Sequence, residues 1–198
     1  MRKFLLSLVF AITAIAVQAQ EPAVTMTTTT TIGSTFSFDI CATANNTPIQ
    51  VDWGNGTRAD YTIGTNHPTV SGILSGSTIK IYGVEIAYLN LYDKKLTLLD
   101  VTNCTTLYSL YCHTNQLTII DVSKNTALTY FNCSSNQITS LDVSKNTALT
   151  NLDCSYNQLK TLDLTNNTAL TNLDCSINEL TSLDVSRNPA LTNLGCGN

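Results

Sequence analysis

The chain is predicted to be mainly β, a solenoid of 21-residue coils preceded by a small β-sandwich-like domain. Three observations carry that expectation. Cys112, Cys133, Cys154, Cys175 and Cys196 recur every 21 residues, and Asn115, Asn136, Asn157 and Asn178 keep the same step three residues behind. The units between them repeat almost letter for letter. Ahead of residue 86 the period is absent and short alternating runs rich in Thr, Ser, Val and Ile take its place.

In chain order, Arg2 and Lys3, the apolar run from Phe4 to Val17, and Val17-Gln18-Ala19 form the three parts of a secretory signal peptide over residues 1–19, with cleavage after Ala19. A membrane anchor is the alternative, but the apolar run is short for a bilayer. No cysteine follows until Cys41, so nothing suggests a lipoprotein. Losing Arg2 and Lys3 takes the formal charge from −4 to −6. An acidic exported chain is a poor nucleic-acid binder, because that role needs a basic footprint.

Residues 20–85 read as a small all-β domain. The alternation in Ser34–Ile40 and Thr78–Tyr82 predicts strands with one buried face. Asn55-Gly56, just after a strand-like run, signals a hairpin. The threonines from Thr27 to Thr31 suit either a strand or an extended leader.

Residues 86–198 are the array. Full units start at Leu107, Leu128, Leu149 and Leu170; an atypical first coil starts at Ile86 and an incomplete last one at Leu191. A period in the twenties that carries leucines and an asparagine defines a leucine-rich repeat. Within Leu149–Cys154, Leu152 and Cys154 alternate with Asn151 and Asp153, so a strand would point the first pair inward and the second outward. Parallel strands should form the concave sheet, with short extended or β segments on the convex side. One coil buries too little to stand alone and needs stacked neighbours.

The recurring polar and sulfur residues have structural readings. An inward asparagine can bond backbone groups of its own and the adjacent coil. Seven cysteines in an exported chain suggest disulfides. Five of them, however, occupy one position on parallel strands about 4.8 Å apart, a poor match to the Cβ spacing of about 3.8 Å in a disulfide, so buried free thiols fit better. A linear ladder cannot close a zinc tetrahedron, and no metal or other cofactor is expected. Cys41 and Cys104 lie outside the ladder, and their pairing is left open. Asp100, Asp121, Asp142, Asp163 and Asp184 form an outer column, expected to accept turn N–H groups, with calcium as the alternative.

Candidate binding residues are those that break the repetition on the outward strand positions. They are Tyr88, Asn90 and Tyr92; then Tyr111 and His113; then Tyr130 and Asn132; then Asp153 and Asp174. Exposed tyrosines are typical interface anchors and also stack on sugar rings, although tyrosine favours strands in any case. An enzyme is not expected. The chain has two histidines, His67 and His113, and neither a Gly-x-Ser-x-Gly elbow nor a His-Glu-x-x-His helix.

Two resemblances sharpen these expectations. Val51-Asp52-Trp53-Gly54-Asn55-Gly56-Thr57, then His67, Val70 and Gly76–Ile81, resemble PKD-type immunoglobulin-like modules, whose signature is Trp or Phe followed by Gly-Asp-Gly-Thr. That likeness implies a spacer or presenter. From Ile86 onward, Leu-x-x-Leu-x-Cys-x-x-Asn-x-Leu followed by Leu-Asp-Val-Ser-Lys-Asn-Thr-Ala resembles the leucine-rich repeats of exported bacterial proteins of the Bacteroidetes type and, more distantly, the internalins. This likeness implies a secreted or cell-surface protein whose array serves adhesion or protein recognition. A glycan-binding protein using the same tyrosines and a passive spacer remain the alternatives. The absence of a polar cap after Gly195-Cys196-Gly197-Asn198 leads to the expectation of a longer parent protein or a poorly ended array.

Overall fold

The computed structural model describes residues 21–197, so the expected signal peptide lies outside the described residues. The described chain is strands and turns without a helix. Two sheets organise it. One is antiparallel, in the order β4-β3-β6-β1-β8; the other has eight strands, in the order β13-β12-β11-β10-β9-β7-β2-β5. The first eight strands are β1 (Val24–Thr28), β2 (Thr35–Ala42), β3 (Thr47–Asp52), β4 (Arg58–Ile63), β5 (Thr69–Ile73), β6 (Thr78–Tyr82), β7 (Ile86–Asn90) and β8 (Leu96–Asp100). The three-residue strands β9 (Ser109–Tyr111), β10 (Tyr130–Asn132), β11 (Asn151–Asp153), β12 (Asn172–Asp174) and β13 (Asn193–Gly195) follow at the repeat step.

The sandwich is closed through Trp53. Its ring lies 5.9 Å from that of Phe38 on the opposite sheet, and its Nε1 donates to the Tyr61 hydroxyl at 3.1 Å. A Cβ at Gly72 on β5 would fall 2.2 Å from the indole, so only glycine lets the ring lie there. The Asn55-Gly56 signal does mark a hairpin, because Asp52 pairs with Arg58 across β3 and β4. Its loop is wider than a two-residue turn. Asp52 Oδ1 collects the N–H groups of Gly54, Asn55 and Gly56 at 2.8, 3.0 and 3.0 Å, and this carboxylate organises five residues instead of two.

Each coil turns as its inward residues require. Leu149, Leu152, Cys154, Leu159, Leu162 and Leu164 are all buried. One residue per coil takes a positive φ just before the inward asparagine: Thr114, Ser135, Tyr156 and Ile177, at 57°, 53°, 53° and 54°. That bend ends the strand and swings the asparagine into the core. Asn136 then accepts the Leu117 N–H at 2.9 Å and donates to the Cys112 and Cys133 carbonyls at 3.0 Å each. Buried backbone groups of two coils are satisfied by one side chain.

Hydrogen bonding is continuous across position 86. Strand β7 pairs antiparallel with β2 and parallel with β9, while β8 pairs with β1. Residues 86–100 therefore belong to the sandwich sheets and to the first coil at once, and a single apolar cluster runs from Ala23 to Cys175. The sandwich covers an edge that a bare array would leave open to pairing with other chains.

Candidate functional site

The outward face of the parallel sheet holds a run of aromatic rings. Tyr88 and Tyr130 flank Ser109 in register, and Tyr111 sits one step along the strand between Asn90 and Asn132. Ser109 is small and buried, which lets the larger rings close over it. The Tyr88 and Tyr111 centroids are 5.6 Å apart, and Tyr111 stacks on Tyr130 at 4.7 Å. Beside this row Tyr92 stacks on His113 at 4.5 Å, and His113 meets Tyr111 edge-on at 6.2 Å. Tyr92 is the most open of these tyrosines, at 48% exposure.

Sequence reasoning missed His67. It precedes β5, in the sandwich, and its ring lies 4.0 Å from that of Tyr88, nearly parallel at 19°. The aromatic row therefore begins before the repeats. Nothing in the period of the array could have indicated this, since His67 reaches the site only because β5 pairs with β2 and β2 with β7. Both histidines of the chain are in this one surface.

The candidate amides and carboxylates have local duties. Asn90 Oδ1 accepts the Tyr92 N–H at 3.1 Å, and its Nδ2 donates to Asp39 at 3.5 Å. Asn132 Oδ1 accepts the Ser134 N–H at 3.0 Å, and Asp153 Oδ1 accepts from the N–H and hydroxyl of Ser155 at 3.1 and 2.7 Å. Asp174 does the same for Ser176. The outward serines Ser134 and Ser155 are consequently buried beneath these bonds. Each candidate thus closes the turn after its strand, and Asn90 commits its amide nitrogen to Asp39 as well.

The electrostatics favour neutral rings. Burial holds His113 below the ordinary histidine range, opposed by the Asp153 carboxylate. Burial likewise pushes the Tyr88 and Tyr130 phenols up. Burial thus favours the neutral forms of His113, Tyr88 and Tyr130, while Asp153 and Asp174 place carboxylates farther along the same face.

A second buried ladder also escaped the sequence. Asn125, Asn146, Asn167 and Asn188 are almost wholly buried, and Asn146 Nδ2 donates to the Val122 and Asn125 carbonyls at 2.9 Å each. Cys104 occupies this column in the first coil and accepts from Asn125 through its carbonyl. All seven thiols are free, including Cys41 and Cys104. Among the described residues no group of three or more His, Cys, Asp or Glu side chains is placed to hold a metal ion.

Coil, ladder and sheet together define a leucine-rich repeat solenoid. Among solved structures the chain is similar to the functional domain of InlJ from Listeria monocytogenes, described as including a cysteine ladder, with 34% identity and a TM-score of 0.53. The match covers 63% of this chain and 33% of that one, so the chain spans about a third of the InlJ domain. A leucine-rich repeat protein of Leptospira interrogans is 27% identical over 50% of this chain and 27% of that one, with a TM-score of 0.48. An internalin (inlF) of L. monocytogenes is 33% identical over 49% and 30%, also at 0.48. No protein-family profile and no curated protein matches the chain.

Proposed function

We propose that the chain is an exported or cell-surface binding protein in which a PKD-like sandwich presents a leucine-rich array for protein recognition or adhesion. The observation that carries this reading is the aromatic surface of His67, Tyr88, Tyr111, Tyr130, Tyr92 and His113. The coil frame is built by the inward leucines, cysteines and asparagines, and these outward rings do not recur at every coil. Because the rings already stack on one another, they lose little rotamer freedom on docking, which lowers the cost of association. The likeness to the InlJ domain and the leader-like composition of residues 1–19 support export. No helix among the described residues is long and apolar enough to cross a membrane.

The test is to probe a panel of purified cell-surface proteins and a glycan array with the wild type and with Tyr111→Ala combined with Tyr130→Ala. Protein ligands should appear, and the double variant should bind them at least about tenfold more weakly, as expected on losing two central aromatic anchors. Binding confined to glycans would move the assignment to sugar recognition. Undiminished binding by the double variant would reject the tyrosine face and leave the array as a spacer.

A further inference from the structure

The sheet face has a second half with different chemistry. From β11 onward tyrosines give way to amides and carboxylates, and Asn151, Asp153, Asn172 and Asp174 join Tyr130 in lining an open trough of about 500 Å³. Asp153 and Asp174 are direct partners across β11 and β12, on strands about 4.8 Å apart, and like charges that close repel. Each carboxylate commits one oxygen to its own turn, leaving the other to the trough. No lysine or arginine lines it. The next position in register is Gly195, where a Cβ would stand 2.7 Å from Asp174 Oδ1; its absence is what lets that carboxylate settle there.

The amides add hydrogen-bond donors but no positive charge. Asn151 Oδ1 accepts from the Thr150 hydroxyl, Asn172 Nδ2 donates to Thr171, and Asn193 Nδ2 donates to Asn172. Amide donors leave the paired negative charge of Asp153 and Asp174 unanswered. This trough offers carboxylate oxygens beside a tyrosine face, the complement of a guanidinium or ammonium group.

A separate observation lies three residues past each aspartate. Tyr156 and Ile177 occupy the left-handed positions at 53° and 54° and are 58% and 45% exposed. The left-handed region is unfavourable for a bulky or β-branched residue, and both side chains are exposed here. The rim of the acidic half is thus apolar at positions where backbone and solvent both disfavour such side chains.

We propose that this half of the face docks an extended, arginine- or lysine-bearing segment of a protein partner, its cations on Asp153 and Asp174 and its apolar groups on the Tyr156 and Ile177 rim. The inference rests on the reading of the sheet face as a protein-binding surface and adds the charge and shape of what binds.

The probe is acetyl-(Thr-Arg)5-amide, titrated into the isotope-labelled chain and followed by amide chemical shifts. Acetyl-(Thr-Gln)5-amide, maltoheptaose and calcium chloride serve as separate controls. Saturable shifts at Tyr130, Asp153 and Asp174 are expected with the arginine peptide alone, weakening as salt rises. Asp153→Asn with Asp174→Asn keeps the turn acceptors and should raise Kd about tenfold or more. Asp142→Asn with Asp163→Asn removes the same charge from the other edge of the coil and should change Kd less than about twofold.

Saturation by the glutamine peptide, by maltoheptaose or by calcium would overturn the proposal, as would equal losses in the two aspartate pairs. A silent arginine peptide together with tyrosine-dependent protein binding defeats this inference alone. An arginine peptide bound as expected, with protein binding indifferent to the tyrosine variant, defeats the broader reading alone.

Discussion

Asn157 shows how one side chain joins two coils. Its Oδ1 accepts the Ile138 N–H at 2.9 Å, and its Nδ2 donates to the carbonyls of Cys133 at 3.0 Å and Cys154 at 3.1 Å. Asn157→Ala strands the Ile138 N–H in the core and removes one of two amide donors at each carbonyl, since Asn136 still reaches Cys133 and Asn178 still reaches Cys154. A buried unsatisfied group costs about 1–3 kcal/mol, so the substitution should remove on the order of 2 kcal/mol, read as a lower urea midpoint. An unchanged midpoint would show that the ladder does not hold the coils together. This column was legible because asparagine recurs beside a cysteine in a run of leucines. The column of Asn125, Asn146, Asn167 and Asn188 was not, because Lys-Asn-Thr, Asn-Asn-Thr and Arg-Asn-Pro read as solvent turns until the coils are stacked. Its burial comes from the preceding coil, whose carbonyls at Val122 and Asn125 draw the Asn146 amide inward.

At the level of the strand and its neighbours, three residues per coil suffice because the pairing is parallel and in register from β7 through β13. Register sets the fate of the sulfur atoms. Cys112, Cys133, Cys154 and Cys175 are buried and free, and burial pushes the Cys104 thiol up to about 12 and the Cys175 thiol up to about 11. Since the thiolate is the reactive form, a thiol reagent at neutral pH should modify Cys196, the exposed one, quickly in the native chain. The remaining six should react only after denaturation, giving seven in all. Several fast thiols in the native state would mean that the coils open more readily than their packing implies. The alternation of leucine and cysteine with polar residues made this column readable. The loop between β3 and β4 was only half readable, since an Asn-Gly pair marks a turn but does not reveal an aspartate three residues earlier closing it.

The molecule as a whole should be most stable in a window of near-neutral and mildly alkaline pH. Burial depresses His113, so the unfolded chain takes up a proton first, and stability falls as pH drops below the ordinary value of 6.5. Asp121, Asp142 and Asp184 are held low mainly by backbone N–H groups two residues on, and Asp163 mainly by the Thr165 hydroxyl. Their contribution is present above the ordinary 3.8 and is lost as pH falls below it. Buried thiols and tyrosines are shifted upward, so the unfolded chain loses protons first above 9.0 and stability declines again. Thermal melts across pH should show a plateau between about 6.5 and 9, with the first acid step absent in His113→Phe. A melting temperature that rises on acidification would contradict these assignments.

The repeat step dictated the length of the coil, its inward leucines and cysteines, the first asparagine ladder and the outward positions open to function. Those features depend on neighbours at a constant separation, which a linear reading can count. The pairing of β7 with β2 and of β8 with β1, the arrival of His67 on Tyr88, and the burial of the second asparagine column depend on segments with no shared period. Their contacts exist only once the sandwich and the first coil share two sheets. Long-range strand pairing leaves no local trace in composition or spacing, and it is what assembles the aromatic half of the candidate binding face.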